Sequence, residues 1–155
     1  MPPFRESPLL REMLALCNKV ATASPDSKQV GCVITSPKGE VLVTACNDFV
    51  HGAAHTSERL QRPTKYHWIE HAERNAIYKA AAAGIPLKGA IMHINWWPCV
   101  DCCRAIIQSG ITKIISSRGP DFDHPRWGEQ FRVVQQILDE SDVKQVILVQ
   151  PRKRT

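Results

Sequence analysis

Two short segments, His71-Ala72-Glu73 and Pro98-Cys99-Val100-Asp101-Cys102, constrain this chain more than any other feature, because they divide the parts of one metal site between separate stretches of sequence. One imidazole and two thiolates suit zinc's preference for nitrogen and sulfur donors, and three protein ligands leave the fourth tetrahedral position for water. His71, Cys99 and Cys102 are the candidate ligands, and Glu73 is the candidate proton carrier. A fold that uses them must bring both segments to a single point.

The bounds are those of an ordinary enzyme domain. A chain of 155 residues is read as a single domain, residues 1–155, long enough to bury a core without staples. Nothing approaches the run of about 18 apolar residues that a membrane span needs, so no membrane partner is expected. The start, Met1-Pro2-Pro3-Phe4-Arg5-Glu6, has no basic, apolar and small-residue signal pattern, which makes the cytoplasm the expected location. Six irregularly placed cysteines look unlike a secreted disulfide framework. The net charge of +5 owes much to Arg152, Lys153 and Arg154, read as a solvated tail; the small remaining excess fits a phosphorylated small substrate as readily as a nucleic acid.

Periodicity and punctuation lay out the elements. Apolar residues from Leu9 to Val20 recur at helical spacing behind Ser7-Pro8, predicting a helix over about 7–23. Gln29–Thr35 and Glu40–Cys46 read as a hairpin turned by Ser36-Pro37-Lys38-Gly39. Residues 47–68 show no sustained period and read as a long loop. A second helix is expected over Glu70–Ala83, stopped by Gly84, then a strand over Ala90–Asn95, a helix from Pro98 to Ser109 and a strand over Thr112–Ser117. Trp127, Phe131, Val134 and Leu138 mark one face of a fourth helix, and Val143–Val149 is the last strand. A helix between consecutive strands makes a crossover, so the fourth and fifth strands should run parallel in a sheet covered by helices on both faces.

Both halves of the metal motif then fall at helix starts, where unpaired N–H groups and the dipole favour thiolate. An ion held there lowers the pKa of a bound water toward about 7, with Glu73 beside it to move protons. The competing reading is a structural zinc clasp, for which Cys103 is the nearest fourth ligand, although its position points it into helix packing. Cys17, Cys32 and Cys46 lie on apolar faces as small hydrophobes. His51, His55 and His67 crowd the long loop without paired cysteines, so a solvated or substrate-facing loop outweighs a second zinc site.

At residues 29–118 the sequence resembles the cytidine and deoxycytidylate deaminase superfamily, and within it the deoxycytidylate (dCMP) deaminases. Besides the metal motif, Lys65-Tyr66, His71-Ala-Glu-Arg-Asn75-Ala-Ile77 and the run Pro98 to Ile111 carry the likeness. The resemblance implies a three-layer αβα sandwich around a five-stranded mixed sheet whose strands 4 and 5 are parallel, Zn2+ as cofactor and a homo-oligomer. It also implies hydrolysis of dCMP to dUMP and ammonia, with cytidine, cytosine, guanine or a related aminated heterocycle as the alternative substrate. A nucleic-acid editing enzyme is the weaker reading. By analogy Asn47 contacts the substrate sugar or phosphate, and Arg59, Lys65, Tyr66 and Trp97 complete the candidate substrate-binding residues. The chain departs from the family at Asp48, a carboxylate where glycine is usual and repulsive to a phosphate unless Arg59, Arg62 or Lys65 compensates. Trp96-Trp97 is another departure; adjacent residues point opposite ways, so at most one should line the pocket.

Overall fold

A computed structural model describes residues 7–148. The expected end of the last strand at Val149 and the basic triplet Arg152, Lys153 and Arg154 lie outside them. Helix α1, Pro8–Ala21, opens with the Ser7 hydroxyl accepting from the Leu10 amide at 3.3 Å and with proline in the first turn. Its buried stripe is Met13, Cys17 and Ala21, four residues apart each time. Strands β1 (Gly31–Thr35) and β2 (Val41–Cys46) form the expected antiparallel hairpin, with Gly31 opposite Cys46.

Residues 47–68, expected to be a loop, carry structure of their own: β3 (Asp48–Phe49), a 3-10 turn over Glu58–Leu60 and a one-turn helix α2 (Lys65–Trp68). Each element is two to four residues long, too short for any hydrophobic period to register. Strand β3 pairs antiparallel with β4, Ile69–Glu70, where the sequence predicts the start of a helix. The helix proper, α3, runs Ala72–Ala83, because His71 is still extended at φ −67° and ψ 150°. Gly84, at φ 68°, ends it in the left-handed conformation that glycine tolerates best. Then come β5 (Ile91–Ile94), α4 (Val100–Gln108), β6 (Lys113–Ser116), α5 (Gly128–Glu140) and β7 (Lys144–Ile147).

The main sheet has the order β2-β1-β5-β6-β7. β5, β6 and β7 are mutually parallel, and β1 is antiparallel to both its neighbours. The expected parallel pairing of the last two strands is therefore present, and α4 makes the same kind of parallel connection between β5 and β6. One face of the sheet receives α1, with Val33 against Met13 and Cys17. Contact there is close enough that a Cβ on Gly31 would lie 1.9 Å from the Cys17 carbonyl oxygen, so only glycine fits. On the other face Cys32, Ile34, Met92, Ile94 and Ile114 meet Ala72, Ala76 and Ala80 of α3, Cys103 and Ile106 of α4, and Phe131, Val134 and Leu138 of α5. Each large apolar side chain fully buried in this way contributes roughly 1.5–3 kcal/mol. The three alanines, all fully buried, let the α3 backbone lie near the sheet.

This topology gathers one end of the sheet. Because β1 runs against β2 and β5, the chain entering β1 lies beside the chain leaving β2 and the chain leaving β5. Lys28 and Val30, Asn47, and Trp96 through Cys99 thus converge at the carboxyl edge of the parallel strands, where open α/β sheets take their ligands. No helix among the described residues is long and apolar enough to cross a membrane.

Candidate active site

His71 is the N-cap of α3 and Cys99 the N-cap of α4, with Cys102 in the first turn after it. Two helix N-termini therefore face one point, and neither cap side chain is spent on its own helix. His71 Nδ1 lies 3.4 Å from Cys99 Sγ and 3.5 Å from Cys102 Sγ. Zinc at about 2.3 Å from sulfur and about 2.0 Å from nitrogen in a tetrahedral set gives nitrogen–sulfur edges of about 3.5 Å, so these donors fit the ion. Among the described residues His71, Cys99 and Cys102 form the one group of three or more donors able to hold a metal. His51, His55 and His67 do not gather into one; His55 stacks on Phe49 with ring centroids 4.4 Å apart. Cys103 is wholly buried in the core, as are Cys17 and Cys32, with Cys46 nearly so.

The surroundings prepare the donors. The hydrogen bond between the two sulfurs holds the Cys99 thiol down at about 4, helped by its contact with His71, while the same bond and burial push Cys102 up. A divalent cation that takes both sulfurs binds them as thiolates, so binding releases protons. Glu73, only 4% exposed, sits two residues into the same helix; burial raises its carboxyl to about 7, with His71 opposing. Asn75 anchors the helix from below by donating its side-chain amide to the Cys46 carbonyl at 3.0 Å.

A cavity of about 250 Å³ opens over His71, Glu73 and Cys99. Lys65 and Tyr66 line it, as do Asn47, Arg62 and Trp97. Asn47 is committed to the scaffold: its Oδ1 accepts from the Val30 amide at 2.9 Å and its Nδ2 donates to the Lys28 carbonyl at 2.7 Å. Lys65 is 6% exposed and donates to both oxygens of Asp26 at 3.0 Å, so its charge is matched inside the wall. Arg62 Nε donates to the Tyr66 hydroxyl at 3.1 Å.

Arg59 is not in the wall. Its guanidinium lies 3.6 Å above the Trp68 ring and donates to the Ala54 carbonyl. Asp48 is also outside, with one oxygen accepting from the Phe49 amide and 4.0 Å from His55 Nε2, which removes the repulsion the sequence raised. Trp96 and Trp97 both line the cavity, against the expectation of one. They follow the end of β5 rather than continuing it, so strand alternation does not govern them. Lys28 Nζ sits 3.3 Å over the Trp96 ring. Trp97 is 1% exposed, and its indole Nε1 has no hydrogen-bond partner among the described residues.

Sequence reasoning passed over Asp26, Lys28, His124, Arg126 and the cavity-facing role of Trp127 and Phe131. The last two bore a helical signal that core packing alone explains. His124 and Arg126 sit in the irregular stretch between β6 and α5, where His124 Nδ1 accepts from the Arg126 and Trp127 amides at 3.1 Å each. No periodicity marks such a residue.

A sheet between helical layers, with a three-donor metal site open on one side and a buried carboxylate beside it, defines a metal-dependent hydrolytic enzyme. The sequence model described as the cytidine and deoxycytidylate deaminase zinc-binding region matches residues 7–117. The chain belongs to this family and is a zinc-dependent hydrolase of the cytidine and dCMP deaminase type. It is 32% identical over 118 residues to an uncharacterized deaminase in the luxG 3' region of Aliivibrio fischeri, covering 76% of this chain and 78% of that one. It is 44% identical over 62 residues to the deoxycytidylate deaminase of enterobacteria phage T2, covering 40% of this chain and 33% of the phage enzyme. In fold it is similar to the dCMP deaminase of cyanophage S-TIM5 solved with dCMP and dUMP, at a TM-score of 0.71 and 21% identity over 92% of this chain and 99% of that one. Residues 124–131 of the cavity wall lie beyond the family match.

Proposed function

We propose that the chain, acting as one domain, deaminates a pyrimidine nucleotide, with dCMP converted to dUMP and ammonia. The observation that carries this reading is the make-up of the cavity: His71, Cys99 and Glu73 line it together with Lys28, Arg62 and Arg126, and the other lining carboxylate, Asp26, is occupied by Lys65. An anionic phosphate is the substituent such a surplus of cations favours. The resemblance of the motif segments to deoxycytidylate deaminases supports the same choice.

His71, Cys99 and Cys102 would hold zinc, which would supply the Lewis acidity that makes water a nucleophile near neutral pH. Glu73 would carry the first proton of the water to the ring nitrogen and, after attack, the second, from the new hydroxyl, to the departing amine. One water is consumed, the exocyclic C–N bond breaks, ammonia leaves and a carbonyl remains. Glu73 is buried, so it exchanges protons with the substrate rather than with bulk solvent. Trp97, with its indole N–H unpartnered, offers a donor and an apolar surface to the heterocycle, and Trp127 and Phe131 help exclude water. We place Tyr66 and Arg62 at the phosphate end, and Asn47 as the residue that shapes the wall through the Lys28–Val30 backbone. We also expect the active form to be a cytoplasmic homo-oligomer.

Ammonia release from dCMP, deoxycytidine, cytosine and guanine by the zinc-loaded protein tests the assignment. The expected result is kcat/KM for dCMP about 100-fold above that for deoxycytidine, since charged hydrogen bonds to phosphate are worth about 1.5–3 kcal/mol. No turnover of dCMP alongside turnover of another aminated ring would replace the substrate and keep the chemistry.

A further inference from the structure

The two segments that carry the metal ligands are joined by more than the metal. Arg74, one residue past Glu73 on α3, donates its Nε to Glu70 Oε1 at 2.6 Å. The same carboxylate oxygen accepts the backbone amide of the ligand His71 at 3.2 Å. From the other side of the guanidinium, Nη1 lies 3.4 Å from Asp101 Oδ2. Asp101 stands between the ligands Cys99 and Cys102, and its second oxygen is held by Arg104 in the same helix. A continuous chain of charge-assisted contacts thus runs from the backbone of the first metal ligand to the residue between the other two.

We propose that Arg74 is a positioning residue for the metal site, bridging the helix that begins at His71 to the helix that begins at Cys99 through Glu70 and Asp101. The inference rests on His71, Cys99 and Cys102 as the zinc ligands and is independent of which ring is deaminated. Zinc needs its three donors held at fixed separations, and these donors come from two helix starts whose like dipole ends face each other. Once the ion is gone, only the contacts of His71 Nδ1 with the two sulfurs, at 3.4 and 3.5 Å, would hold the helix starts together without a further link across them. Arginine suits the position because its planar fork presents donors to two carboxylates at once, whereas lysine presents a single point charge. Glu70 and Arg74 are about one-fifth exposed, so this half of the link is sheltered from solvent, while Asp101 is 60% exposed. Half-exposed pairs add little to global stability. The effect therefore belongs in metal retention rather than in the melting of the fold, as for outer partners of metal ligands, whose loss weakens metal binding by about 10- to 100-fold.

The test is the rate at which zinc passes from the holoenzyme to an excess of a chromogenic chelator, with no substrate present. Arg74→Gln and Asp101→Asn should each speed zinc loss about tenfold, and the double variant should lose zinc no faster than the quicker single, because both remove one link. The melting temperature of the metal-free protein should be unchanged. Zinc loss from Arg74→Gln at the wild-type rate, or a double variant at the product of the two single effects, would overturn the proposal. So would a lowered metal-free melting temperature with unaltered zinc loss, which a merely structural ion pair would give. Should Arg74→Gln fail to fold, Asp101→Asn at its exposed position decides by the same rate. A wild-type protein that binds no zinc would overturn the ligand assignment as well, so the two failures are told apart.

Discussion

The metal half of the site and the wall opposite it are built in different ways. His71, Glu73, Cys99 and Cys102 lie at the starts of two helices, α3 and α4, and the chemistry proposed for them follows from their spacing. The wall is contributed by five separate stretches, from Asp26 to Phe131, whose polar groups are partly consumed by one another. Helix starts fix a side chain to its neighbours in sequence, while a wall residue is fixed only by tertiary contacts. Reaction type is therefore written locally and substrate choice is distributed.

The largest test of that contrast falls on Glu73. If Glu73 is the proton carrier, Glu73→Gln removes it and leaves the donors intact, so kcat should fall about 10³-fold while metal analysis still finds one zinc per chain. Zinc loss together with activity would mean that the carboxylate serves the metal site itself, and the division between ligand and proton carrier would collapse.

Lys65 sharpens the wall side. From sequence it stands as a substrate cation, but in the structure both its charge and that of Asp26 are buried in a mutual pair. Lys65→Met leaves an uncompensated carboxylate with only the Ser27 hydroxyl and the Lys28 amide near it, each at 3.3 Å. Removing one partner of a buried pair costs about 3 kcal/mol, read as a lower midpoint in urea. A variant as stable as wild type but with raised KM would return Lys65 to the substrate.

The sequence-level reading reached the αβα layers, the five strands and the parallel pairing of the last two because those elements are long enough for a period to show. It missed β3, β4 and α2, each of four residues or fewer, and began the HAE helix at Glu70, two residues before Ala72. It also carried strand alternation past Ile94 into a bend, which is why Trp96 and Trp97 were set against each other. Arg126 and His124 were invisible for a stronger reason. An arginine in an irregular loop has the same local signature whether it faces solvent or a cavity, and only the packing of α5 against α4 turns this stretch toward the site.

Arg59 and Arg126 provide the finest discrimination, because both are loop arginines and the sequence favours the wrong kind of evidence for choosing between them. Arg59 sits near the motif but spends its guanidinium on Trp68 and the Ala54 carbonyl, outside the cavity. Arg126 is far from the motif in sequence, outside the family match, and lines the cavity. If wall cations recognise the phosphate, Arg126→Gln should raise KM for dCMP about tenfold with kcat within about twofold, the loss of one charged hydrogen bond. Arg59→Gln should leave KM within about twofold. The nucleoside lacks the phosphate, so its kcat/KM should not respond to Arg126→Gln at all. Equal losses for nucleotide and nucleoside would mean that Arg126 shapes the cavity rather than reading its anion, and equal effects of the two arginines would mean that proximity to the motif, not placement in the wall, governs recognition.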